Sequence, residues 1–222
     1  MDFTGVYSVK NVFPLLLAGK RTHILDAYHI GKKARTRMLL NVNQSLLLVI
    51  DVQQRLMPVM DNGHQITGPI NVLAEAALCL DVPVWVTEQN PKALGATISA
   101  LDVAARTNDR KNVKYFEKMH FSAVKDEKIR TDLNSLQKKQ IIITGIESHV
   151  CVLQTALDLK ACNFDVFVVS DGVTSRKYKD RECAIARLSA SGVHIVNSEM
   201  VVFEWLQKAG TAAFRSLSKL IK

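Results

Sequence analysis

Asp51, Lys118 and Cys151 together hold what a thiol needs to become a nucleophile. A cysteine attacks as its thiolate, so the group that takes the proton matters as much as the sulfur. Cys151 falls a few residues past an apolar run, near the first turn of a helix that Ser148 is placed to cap. Unpaired backbone N–H groups and the helix dipole at such a start favour a negative sulfur. Lys118 would lower the thiol pKa further, and Asp51 would move its proton. Taken alone, a single cysteine near a helix start is more simply read as a small buried hydrophobe. Three complementary groups, each at the end of a strand, favour the chemical reading.

The strands that must bring them together are legible from hydrophobic patterning. Residues 45–51 and 140–146 are continuous apolar runs, as expected of strands buried on both faces. Further strands are predicted at 83–87, 113–118, 164–170 and 192–196, and helices at 66–80, 125–138, 149–162, 178–191 and 198–208. Strands alternating with helices imply right-handed βαβ crossovers. The expected fold class is α/β: a doubly wound, mostly parallel six-stranded sheet with helices on both faces, Rossmann-like. Ligands bind such sheets beyond the carboxyl ends of the strands, where strand order reverses. Asp51, Lys118 and Cys151 all fall there.

The same rule selects the residues that would line a substrate pocket: Gln53, Gln89 and Phe121, on loops that shape that cleft. His149 lies two residues before Cys151 and either joins the pocket or faces a structural neighbour, and His120 poses the same choice. Cys79, Cys162 and Cys183 fall at helical, apolar positions and read as core thiols. Trp85 and Trp205 read as packing or interface residues.

Four ordered segments carry a family resemblance: Leu48-Val-Ile-Asp-Val-Gln53, Thr87-Glu-Gln89, Lys118-Met-His-Phe-Ser122 and Gly145-Ile-Glu-Ser-His-Val-Cys-Val152. With them, residues 44–208 resemble the isochorismatase-like cysteine hydrolases, relatives of nicotinamidases and N-carbamoylsarcosine amidases. The second segment is most similar to the isochorismatase domain-containing branch. The resemblance implies a catalytic triad at Asp51, Lys118 and Cys151. It also implies a cis peptide between Ile146 and Glu147, and an oxyanion hole made by the backbone N–H groups of Glu147 and Cys151. The implied reaction is cysteine hydrolysis of a small amide-like substrate, with no cofactor. Nicotinamidases carry a histidine-containing metal cluster after the second strand. Residues 88–94 here hold no histidine, so no metal site is expected. True isochorismatases cleave a vinyl ether without needing the cysteine, so a retained Cys151 points away from isochorismate itself.

Composition limits the remaining classes. The chain has 222 residues, enough for one α/β domain that buries roughly 70% of its unfolded surface without staples. No run reaches the ~18 apolar residues of a membrane span. Four scattered cysteines make no disulfide framework or zinc spacing, which suits a reducing compartment. The net charge of +8 suggests nucleic acid until it is mapped. Residues 1–38 carry +5, residues 204–222 carry +3, and the stretch between sums to zero.

The expected organisation is therefore a basic extension over 1–38, a hydrolase domain over 39–208 and a basic amphipathic tail over 209–222. The extension is basic and acid-poor, which fits a mitochondrial presequence; without that role the address would be cytoplasmic. The tail's apolar stripe needs burial, on its own domain or on a partner subunit. Family members are commonly oligomers, so the expected partners are a small-molecule substrate and a second copy, as a homo-oligomer (dimer or tetramer). Two alternatives stand beside the hydrolase. One is an RNA-associated protein, since kinetoplastid members bear the label mitochondrion-associated ribonuclease. A neutral body offers no phosphate track for it. The other is a catalytically silent oligomeric scaffold.

Overall fold

The computed structural model describes residues 38–101, 103 and 112–221. The targeting expectation for residues 1–38 lies, apart from Met38, outside them. Residues 39–222 form one compact unit.

Six strands make its sheet: β1 (Ser45–Ile50), β2 (Val84–Gln89), β3 (Val113–Lys118), β4 (Gln140–Gly145), β5 (Asp165–Val173) and β6 (His194–Val196). Their order is β3-β2-β1-β4-β5-β6, and every pairing is parallel. The chain winds outward from β1 to β3, then returns to lay β4 on the other side of β1. That reversal puts the crevice for ligands between the carboxyl ends of β1 and β4.

β1 and β4 are buried at every position, which is why both read as unbroken apolar runs. On one face Leu46, Leu48, Ile50, Ile141 and Ile143 pack with Ile129 and Leu133 of α3 (Glu127–Ser135) and with Ala156 and Leu159 of α4 (Leu153–Ala161). On the other face α1 (Gly63–Cys79) lies against β1, β4 and β5 and buries Ile66, Ile70, Leu73 and Ala77. β3 is an edge strand and is only partly buried, with Lys114, Tyr115 and Glu117 exposed. The other helices are α2 (Pro91–Leu94), α5 (Tyr178–Ala190), α6 (Ser198–Leu206) and α7 (Ala212–Leu217).

Several local expectations change. β5 does not stop at Ser170; it runs to Val173, because past an irregularity in register Val173 pairs with Gly145. The helix expected from residue 149 begins as a π-helical turn over Ser148–Val152, and regular α4 starts at Leu153. Ser148 does not cap it, since its hydroxyl donates to the Thr174 carbonyl at 2.9 Å. Cys79, Cys162 and Cys183 are exposed rather than core thiols. Cys79 is the last residue of α1 and Cys162 the C-cap of α4, so neither helix carries its cysteine into the interior. Cys183 lies on the outward face of α5.

Trp85 is buried with its ring 4.9 Å from that of Phe116. Trp205 is buried too, and its Nε1 donates to the Ser45 hydroxyl at 2.9 Å. The basic carboxyl end packs on its own domain. Leu217 of α7 is buried, and Phe214 meets Phe203 of α6 with ring centroids 6.4 Å apart. No helix among the described residues is long and apolar enough to cross a membrane.

Candidate active site

Asp51 sits at the carboxyl end of β1 with φ of 52°, a left-handed conformation that turns the chain out of the strand. Its amide donates to the Thr87 carbonyl at 3.0 Å, a continuation of the β1–β2 ladder. Both carboxylate oxygens are engaged: Oδ1 accepts from the Thr87 hydroxyl and Oδ2 from Lys118 Nζ, each at 2.7 Å. Lys118 is the last residue of β3, two strands away, and its long side chain closes that distance to make the bond. Its ammonium also donates to Gln89 Oε1 at 2.7 Å, the His120 carbonyl at 3.1 Å and the Phe121 carbonyl at 3.2 Å. A buried ammonium is tolerable only when so fully ligated.

Cys151 reaches the site from beyond β4. Gly145 ends that strand with φ of +111°, and a Cβ built on it would lie 2.0 Å from the Ile50 carbonyl oxygen. Only glycine lets β4 pass so close to β1 at the reversal of strand order. The following amide, Ile146 N–H, donates to that carbonyl at 2.9 Å. The Ile146–Glu147 peptide bond is cis. Glu147 then leads into the π-helical turn that holds Cys151, a geometry that recurs at functional sites.

Cys151 is buried, and that reverses one expectation. The thiol is pushed up from 9.0 to about 12, first by loss of solvent, then by the Asp51 carboxylate, with a smaller contribution from Glu147. Lys118 pulls it down, as the sequence suggested, but it is outweighed. The reason is geometric. The Lys118 charge is committed to Asp51, so the sulfur experiences the pair rather than a free cation. Cys151 is thus held as a thiol beside a carboxylate, not as a thiolate beside an ammonium.

The expected pocket residues divide in their placement. Gln53 is buried, its Nε2 donating to the carbonyls of Gln89 (3.0 Å) and Gly95 (2.6 Å) and its Oε1 accepting from Gln89 N–H at 2.8 Å. It braces the loop after β2. Gln89 bridges that loop to the next: its Oε1 takes Lys118, and its Nε2 donates to the Met119 carbonyl at 2.8 Å. Phe121 is 55% exposed, and Met119 beside it is also exposed. A cleft of about 390 Å³ opens next to Lys118, lined by Asn90, Lys92, Glu117, Met119 and Asp126. His149 is half-buried, with Nδ1 3.0 Å from the Ser175 hydroxyl, a specific neighbour. His120 contributes its carbonyl to Lys118 while its side chain stays outside.

Among the described residues no group of three or more His, Cys, Asp or Glu side chains is placed to hold a metal ion. Glu88 is occupied in any case, accepting from the amide and hydroxyl of Thr97 at 2.7 Å each.

Sequence reasoning missed Thr87 as a partner of Asp51, Ser175 as the partner of His149, and the Arg176–Glu147 ion pair at 2.7 Å. A threonine at a strand end was visible, but nothing in spacing shows which way its hydroxyl turns.

Comparison with known proteins places the chain in a family. The isochorismatase domain model fits residues 45–200, which span β1 through the start of α6. The chain belongs to the isochorismatase family. In class it is an isochorismatase-family hydrolase. It is 39% identical over 181 residues to the secreted isochorismatase effector Isc1 of Phytophthora sojae, covering 81% of this chain and 85% of that protein. Isochorismatase family protein 1A of Dictyostelium discoideum is 34% identical over 182 residues, 82% of this chain and 87% of that one. Among solved structures, the MAR1 ribonuclease of Caenorhabditis elegans superposes with a TM-score of 0.76 at 31% identity, covering 83% of this chain and 92% of that one. The family domain thus spans the whole sheet, and Asp51, Lys118 and Cys151 all lie within it.

Proposed function

We propose that this isochorismatase-family chain is a cysteine hydrolase that opens the C–N bond of a small amide-like substrate. The observation that carries the reading is a buried thiol facing the carboxylate of a sealed Asp51–Lys118 pair.

Asp51 takes the thiol proton as Cys151 Sγ adds to the substrate carbonyl carbon. Each carboxylate oxygen keeps a second lone pair after bonding Thr87 or Lys118, so the base remains competent. The carbonyl electrons move to oxygen, which the backbone N–H groups of Glu147 and Cys151 hold as an oxyanion hole. The tetrahedral species collapses, Asp51 gives its proton to the departing nitrogen, and a thioester and ammonia or an amine result. Water, deprotonated by Asp51, then attacks the thioester. Its collapse expels the sulfur, which recovers a proton from Asp51 as the acid leaves. Lys118 steadies the changing charge on Asp51 throughout.

The experiment is ammonia release from a panel of small amides by wild type, Cys151→Ala and Asp51→Asn. Turnover by wild type that disappears in both variants supports the reading. Unchanged turnover in Cys151→Ala ends it. A second reading, ribonuclease, is favoured by the similarity to the C. elegans MAR1 ribonuclease. The thiol chemistry gives it no phosphodiester step, and RNA cleavage that survives in Cys151→Ala would separate it from this site. Exposed Met200, Phe203 and Leu220 support the homo-oligomer, dimer or tetramer, that the resemblance implies.

A further inference from the structure

Glu147 has two opposed effects on the site. In the reading above, its backbone N–H receives the oxyanion. Its carboxylate, only 14% exposed, puts a negative charge beside the place where the reaction creates more, and it helps hold the Cys151 thiol protonated. An oxyanion hole flanked by a bare carboxylate works against itself.

The carboxylate is not bare. Arg176 Nε donates to Glu147 Oε2 at 2.7 Å, and the contact holds the guanidinium even more firmly protonated. Arg176 is 57% exposed, so solvent screens part of the attraction. Its position, however, is built. Thr174, Ser175 and Arg176 answer Ser148, His149 and Glu147. The Thr174 carbonyl accepts from Ser148 N–H and from Ser148 Oγ at 2.8 and 2.9 Å. The Ser175 hydroxyl meets His149 Nδ1 at 3.0 Å. The same segment is tied to the loop after β1. Asp61 N–H donates to the Ser175 carbonyl at 2.9 Å, and the Thr174 hydroxyl donates to the Asp61 carbonyl at 2.7 Å. The turn bearing the nucleophile is thereby fastened to the end of β5, and Arg176 is delivered to one carboxylate.

We propose that Arg176 is a positioning residue that masks the Glu147 carboxylate, so that the oxyanion turn presents its backbone donors without an uncompensated negative charge beside Cys151. The proposal rests on the cysteine hydrolase reading. The other charged groups around the sulfur are Asp51 and Lys118; Asp180, whose carboxylate lies 3.9 Å from His149 Nε2, also acts on Arg176, but Glu147 is the carboxylate that Arg176 bonds.

The test uses the full chain and needs no substrate. Alkylation by iodoacetamide is followed at each cysteine by peptide mass mapping from pH 7 to 10 at low salt. Exposed Cys79, Cys162 and Cys183 serve as internal references. Arg176→Ala should slow Cys151 about threefold to tenfold at pH 8, tenfold being one unit of thiol pKa. Arg176→Gln, which keeps a hydrogen bond but no charge, should slow it as well, and Arg176→Lys should retain most of the rate. Adding Glu147→Gln to Arg176→Ala should restore at least the wild-type rate. A Cys151 rate within twofold of wild type in both Arg176→Ala and Arg176→Gln overturns the proposal, as does a double variant as slow as Arg176→Ala alone. The hydrolase reading fails by a different result, amide turnover that survives Cys151→Ala.

Discussion

Lys118 Nζ lies 2.7 Å from Asp51 Oδ2, with the two side chains 0% and 1% exposed. An ion pair so sealed organises charge more than it stabilises the fold, because both ions have given up their water. Its members come from strands two places apart, and only the sheet order brings the two strand ends together beside Cys151.

Breaking this pair from one side strands the other charge. Lys118→Met should destabilise the fold by about 3–5 kcal/mol, and Asp51→Asn should do much the same. The double variant should recover a large share of that loss. Urea denaturation of the four proteins measures it, and strictly additive losses would contradict a coupled pair.

The raised thiol predicts a stability profile. The folded chain holds the Cys151 proton up to about pH 12, whereas the unfolded chain releases it near 9.0. The contribution is complete below 9 and is lost as pH rises toward 12. The slope approaches roughly 1.4 kcal/mol per pH unit. Denaturation at pH 8, 9.5 and 10.5 should show wild type losing stability faster than Cys151→Ala. Parallel profiles would mean that the thiol titrates normally.

Thr87→Val removes the hydroxyl that holds Asp51 Oδ1 while nearly conserving volume. The buried oxygen is left short of one donor, at a cost of about 1–3 kcal/mol. Amide turnover should fall about tenfold with the fold intact by circular dichroism. Activity equal to wild type would show that Lys118 alone orients the base.

Gln53→Ala should loosen the loop after β2, since the Gln53 amide makes three bonds to the backbone at Gln89 and Gly95. Hydrogen exchange in peptides covering residues 89–95 should accelerate while β1 and β4 stay protected. Gly145→Ala is a harsher case, because its Cβ would overlap the Ile50 carbonyl. That variant should lose more than about 4 kcal/mol or fail to fold, as judged by soluble yield and thermal melting.

Residue patterning by itself determined the strands and their parallel arrangement. A strand buried on both faces must be apolar at every position, and β1 and β4 are. It also placed Asp51, Lys118 and Cys151 at strand ends, because a doubly wound sheet leaves few other positions for ligand chemistry. What it could not supply was anything set by side-chain direction or solvent access. Ser148 looked like a cap and proved to be a tie to Thr174. Three cysteines looked internal because a helical period says which residues share a face, not how far that face extends into the core. Above all, the state of Cys151 was decided in three dimensions. Lys118 is near enough to lower the thiol, but its charge is committed to Asp51 and the sulfur is buried. Burial and pairing depend on which atoms face one another across the sheet, and only the folded chain brings those atoms together.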